Sequence, residues 1–94
     1  MKKEISDILK NQVFVMAAQF DRADDEDKPQ YAQATCTLVA ELVRNNVKHS
    51  ADIEKCLEKQ LQLLSKAYDG DVQAEMAGEL ADAMVSLAET LEYY

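Results

Sequence analysis

Apolar residues recur along this chain at intervals of three and four, the repeat that lines one side of an α-helix. The first such stretch, residues 3–21, places Ile5, Ile8, Leu9, Val13, Met16, Ala17 and Phe20 on one face, which Val15 widens. Phe14 falls on the opposite side with Asp7, Lys10 and Asp21. A large aromatic in that position either meets another helix layer or stands exposed for a partner. A second stretch, 29–48, carries Tyr31, Ala34, Thr35, Leu38, Val39, Leu42, Val43 and Val47. The third, 51–68, is cleaner, with Ile53, Leu57, Leu61, Leu64 and Tyr68. The fourth, 72–92, has two apolar faces. Val72, Met76, Leu80, Met84, Leu87 and Leu91 form a large one; Ala74, Ala77, Gly78, Ala81, Val85 and Ala88 form a small one. Gly78 costs roughly 1 kcal/mol of helix propensity relative to alanine. Close approach of another backbone would offset that cost, so the fourth helix is expected to need partners on two sides.

The breaks between stretches vary in strength. Asp21 to Asp27, followed by Lys28-Pro29, reads as a solvated connection. Proline suits the first turn of a helix, and Asp27 three residues before Gln30 resembles a capping box. Asp69-Gly70-Asp71 reads as a stop and restart, with Gly70 past one helix and Asp71 capping the next. Residues 45–50 are polar but hold neither glycine nor proline. Ser50 suits an N-cap there, which gives two helices; the alternative is one long helix over 29–68 that would protrude and dimerise.

Composition agrees with helices. Two glycines, one proline and no tryptophan in 94 residues leave too few turn residues for a many-stranded β fold. The sequence therefore predicts one all-α domain over 1–94, a small antiparallel helical bundle of about four helices. Its apolar faces exceed the roughly 100° stripe that a monomeric bundle needs, which points to a homodimer through the first helix, the fourth, or both.

The charge is uneven. Residues 1–66 hold ten bases and eleven acids, a net of −1, whereas 67–94 hold seven acids and no base. A direct nucleic-acid or anionic-membrane partner would need a basic patch, and the bases here are interleaved with acids. The longest wholly apolar run, Val13 to Ala18, is too short for a signal peptide or a membrane span. A cytoplasmic protein is expected. Cys36 and Cys56 lack metal or redox spacing and read as reduced, buried small hydrophobes.

No motif compels a chemistry. The acid run 21–27 lacks the alternating ligands and the glycine of a calcium loop. His49, the only histidine, reads as a helix-end residue with Asp52 and Glu54 near it. Glu75, Glu79 and Asp82 share one face of the fourth segment. Three carboxylates along a helix can hold Mg²⁺ for phosphate chemistry. Glu79-Leu-Ala-Asp82 resembles half of the site of all-α nucleotide pyrophosphohydrolases, which implies a second acidic cluster on a facing helix. Only Glu41, Glu54 and Glu58 are on offer for it, and no base follows to hold phosphate.

The sequence thus predicts a non-catalytic protein that needs no cofactor and no metal. Its expected partner is a protein with a basic surface, which it would inhibit, regulate or stabilise in the manner of immunity proteins, antitoxins or phage inhibitors. The expected contacts are Phe14, Glu75, Glu79, Asp82 and Glu89. Two alternatives stand beside this: an acidic mimic of nucleic acid that blocks a DNA- or RNA-handling enzyme, and the Mg²⁺-dependent hydrolase.

Overall fold

A computed structural model describes residues 1–68 and 70–94. It is all-helical: α1 spans Lys3–Arg22, α2 Lys28–Arg44, α3 Ala51–Ala67 and α4 Ala74–Tyr93. The molecule measures 44 × 24 × 20 Å. Its two short dimensions are each about two helix diameters, so every helix keeps one side facing outward. Helices α1 and α4 each pack against both α2 and α3, and α2 also touches α3. Among the described residues α1 and α4 do not meet.

The core draws on all four helices: Val13 and Phe20, Ala32, Val39 and Leu42, Ile53, Leu57 and Leu64, Ala83 and Leu87 are buried. Among the described residues, four polar side chains are buried with them, Ser6, Thr35, Gln60 and Thr90. Thr35 and Thr90 return their hydroxyl protons to the carbonyls of Tyr31 and Ser86, four residues earlier. This satisfies each hydroxyl locally. Gln60 Nε2 donates to Thr35 Oγ1 at 3.0 Å, tying α3 to α2 in the core.

Each connection has its own mechanism. Between α1 and α2 the expected capping box is not formed: Asp27 lies in the helical region and its side chain caps nothing. Instead Lys28 Nζ donates to the carbonyls of Phe20 and Ala23 at 2.9 and 2.8 Å. An ammonium group on the Phe20 carbonyl of the last turn and on that of the C-cap Ala23 adds a charged donor at the end of α1 and offsets the negative end of the helix dipole.

The chain breaks at 45–50, and Asn46 breaks it. Asn46 adopts φ +57°, its N–H donates to Val43 O, and the N–H of Val47 reaches back to Leu42 O. These are the two hydrogen bonds of a Schellman motif, with asparagine in the place usually taken by glycine. Ser50 Oγ then accepts from the N–H of Ile53 and starts α3. The single long helix over 29–68 is thereby excluded.

At the third connection Gly70 has φ +125°, a conformation that favours glycine, while Asp69 lies outside the described residues. Helix α4 begins at Ala74 rather than at residue 72. Its N-cap is Gln73, and the expected cap, Asp71, is exposed.

The outer faces differ from expectation as well. Ile5, Ile8 and Val15, assigned to the core stripe of α1, are 47%, 61% and 38% exposed. On α4 the large face packs inward, but the small face meets solvent. A methyl group placed on Gly78 would touch nothing within 4 Å. The second partner expected for α4 is therefore not supplied by the chain's own helices. No described helix is long and apolar enough to cross a membrane.

Candidate functional site: the outward face of α4

Helix α4 exists because Leu80, Ala83, Leu87 and Thr90 share one side and bury it against α2 and α3. That leaves Glu75, Glu79, Asp82, Glu89 and Glu92 in solvent, all exposed. No lysine or arginine lies on this helix to pair with them. Glu75 and Glu79 are spaced i, i+4, while Glu79–Asp82 and Glu89–Glu92 are spaced i, i+3. Like charges at these separations cost about 0.2–0.5 kcal/mol each. Glu92 also sits in the last turn, where the helix dipole favours a cation. Glu75, in the first turn, is favoured by the same dipole; the acidity of the later turns, from Glu79 to Glu92, is held against the local stability of the helix.

Glu79 and Asp82 do more than line a face. With Pro29, Gln30 and Gln33 of α2 they enclose an open cleft of about 300 Å³. Pro29 is buried and supplies an apolar wall, whereas Glu79, Asp82 and Gln30 are exposed. Two carboxylates and two amides around an apolar wall can accept several N–H donors from a cation and pack its aliphatic stem. The sequence pairs Glu79 with Asp82 through their spacing. It gives no sign of Pro29, Gln30 and Gln33, because their meeting with α4 arises from helix packing and not from local pattern.

The other expected contacts lie apart. Glu75 and Glu89 flank the cleft along α4 without lining it. Phe14 is 40% exposed on α1, the helix that does not touch α4. Phe14 and the acidic face therefore belong to different surfaces.

A metal-holding arrangement on α4 would need carboxylates from a facing helix. The polar α2 residues in the cleft are glutamines, and Glu41 lies near the other end of α2, paired with Arg44 at 2.8 Å. Among the described residues, the three carboxylates close enough to share an ion are Asp24, Glu26 and Asp27, all exposed in the α1–α2 connection.

His49 and the two thiols have structural surroundings. The His49 ring lies 4.8 Å from that of Tyr94, and its Nε2 stands 3.7 Å from Glu54 Oε2. The Tyr94 hydroxyl in turn accepts from the N–H of Ser50 at 2.8 Å, joining the end of α4 to the start of α3. Cys36 is buried and Cys56 half-buried, both as free thiols. Burial pushes the Cys36 thiol above its ordinary 9.0, and a hydrogen bond with Thr90 partly opposes this. Burial also raises Cys56, with the nearby charge of Asp21 adding to the effect. Neither thiol has the electropositive setting of a reactive thiolate.

Against known protein families, characterised proteins and solved structures, the chain finds no match in sequence or in fold.

Proposed function

We propose that this protein is a non-catalytic, acidic helical binding module that engages a protein with a basic surface and inhibits, regulates or stabilises it. Helix α4 is its contact face, and the cleft formed by Glu79, Asp82, Gln30 and Gln33 receives a lysine or arginine side chain of that partner. One observation carries the proposal: five acids are displayed outward on one helix that holds no base, and the four beyond the first turn repel one another or oppose the helix dipole. Between them run Ala74, Ala77, Gly78, Ala81 and Ala88, exposed and small, which lets a partner's backbone come close. Acids arranged this way speed association with a basic surface and make it sensitive to salt.

The protein acts in the cytoplasm, where Cys36 and Cys56 stay reduced. Its short connections suit an antiparallel bundle, and its surplus apolar surface suits a homodimer. The test is capture from source-organism lysate with stepwise salt elution, comparing the natural chain with Glu79→Gln/Asp82→Asn. A basic protein held by the natural chain and lost by the variant supports the proposal. Equal retention by both would sink it.

A narrower target is favoured by the exposure of Glu75, Glu79, Asp82 and Glu89 along one face of α4: the active site of an enzyme that handles DNA or RNA, with the acids standing in for phosphates. Competition between the protein and DNA for the captured partner supports this, and simultaneous binding ends it. The Mg²⁺-dependent hydrolase has only the Glu79–Asp82 half of its site in the cleft. Release of phosphate or pyrophosphate from nucleoside triphosphates with Mg²⁺ would bring it forward.

A further inference from the structure

The outward side of α1 is built unlike the outward side of a solvated helix. Ser6, Val13 and Phe20, seven residues apart, mark its buried side. Directly opposite lies the line Glu4, Ile8, Asn11, Val15, Ala18 and Arg22, every member exposed. Its spacing is four, three, four, three, four, the repeat of a coiled-coil seam. On a helix that only faces water this line would be the most polar of all. Here its centre carries Ile8, Val15 and Ala18, with Ile5 and Met1, each 47% exposed, beside it.

The charges at the two ends of this line select its occupant. Glu4 and Arg22 are 18 residues apart, five turns of helix, and so share one azimuth. Neither takes part in an ion pair among the described residues. We infer that a second copy of this chain covers α1, with the two α1 helices antiparallel about a two-fold axis on the seam side, level with Val13 along the helix. In that register Glu4 of each copy faces Arg22 of the other, Ile8 faces Ala18, and Asn11 faces Val15. At the Ile8–Ala18 pairs a large side chain thus opposes a small one, and both end charges are neutralised. A parallel pairing would instead set Glu4 against Glu4 and Arg22 against Arg22.

Long-range charge favours the same helix. Residues 3–22 hold three acids and three bases, whereas α4 holds five acids and no base. Two copies meeting through α1 keep their acidic faces apart; meeting through α4 would press them together. This inference rests on the self-association proposed above and adds to it a surface and a register. It also leaves the α4 face of each copy free for a different partner.

The test is sedimentation velocity on the full chain from micromolar to millimolar concentration, with circular dichroism to verify that each variant folds. The natural chain is expected to dimerise reversibly. Ile8→Glu alters an exposed residue, so it should leave the fold intact and weaken the dimer at least about tenfold. Glu4→Arg and Arg22→Glu should each weaken it severalfold, and Glu4→Arg/Arg22→Glu together should restore it to about the natural value. A chain that stays monomeric throughout overturns both the self-association and the seam. A dimer indifferent to Ile8→Glu overturns the seam alone. Loss on Ile8→Glu with no response to the charge reversals overturns the antiparallel register.

Discussion

Replacing Gln60 by methionine should make this protein more stable, although it removes a hydrogen bond from the core. Gln60 is 2% exposed. Its Nε2 donates to Thr35 Oγ1, while its Oε1 is buried with no hydrogen-bond partner. Turning the amide over would not help, because the Thr35 proton is already committed to the Tyr31 carbonyl at 3.0 Å. A buried unpaired carbonyl costs about 1–3 kcal/mol, and the hydrogen bond returns about 0.5–1.5 kcal/mol net. Methionine keeps the unbranched length, removes both terms and leaves the Thr35 hydroxyl with its own acceptor. The expected balance is a gain of about 1 kcal/mol, or a rise of about 4–8 °C in Tm for a domain of this size. Urea unfolding followed by circular dichroism reads this as a higher midpoint at unchanged m. The complementary change, Thr35→Val, strands both ends of the Gln60 amide and should cost about 1–3 kcal/mol. If Gln60→Met instead destabilises by more than about 1 kcal/mol at constant m, the carbonyl is satisfied in solution and the reasoning fails.

Three further outcomes follow from the geometry. Asn46→Val should destabilise by about 1–2 kcal/mol, because a β-branched residue is strained at φ +57°, whereas Asn46→Gly should be tolerated; chemical denaturation of both variants separates them. Neutralising Glu79 and Asp82 should raise stability by a few tenths of a kcal/mol through relief of like-charge repulsion, and Glu92→Lys by about 0.3–1 kcal/mol through the helix dipole; a loss of stability in either would contradict the account of α4. Alkaline pH should weaken the fold. The folded state keeps Cys36 protonated above its ordinary 9.0, so the unfolded chain loses its thiol proton first, and stability falls as pH rises from that value through the raised one. Cys36→Ala should flatten that part of the pH profile in thermal melts, and an unchanged slope would assign it to other groups.

Much of the fold is legible in the apolar spacing, and the misses have physical causes. The stripes of α3 and α4 mark their buried faces correctly through Ile53, Leu57, Leu64, Leu80 and Leu87. Small and polar core members escaped the pattern. Ala32, Ala83, Gln60 and Thr90 carry little hydropathy and are buried because helices approach each other there. Ile5 and Ile8 erred the other way, since apolar character marks a face without saying which neighbour covers it. Asn46 lacks the glycine signature of a helix stop, yet asparagine also tolerates the left-handed conformation. At the candidate site the Glu79–Asp82 pair was visible through spacing on one helix. The glutamines opposite were not, because only tertiary packing joins α2 to α4.

The proposed function stands or falls on the charge of α4. The most direct measurement is the association rate with the captured partner as a function of ionic strength, for the natural chain and for Glu75→Gln/Glu79→Gln/Asp82→Asn/Glu89→Gln. An acidic contact face requires a fast rate for the natural chain that falls steeply with added salt, and a slow, nearly salt-independent rate for the variant. Equal rates with equal salt dependence would show that the acids of α4 keep the protein in solution and take no part in binding.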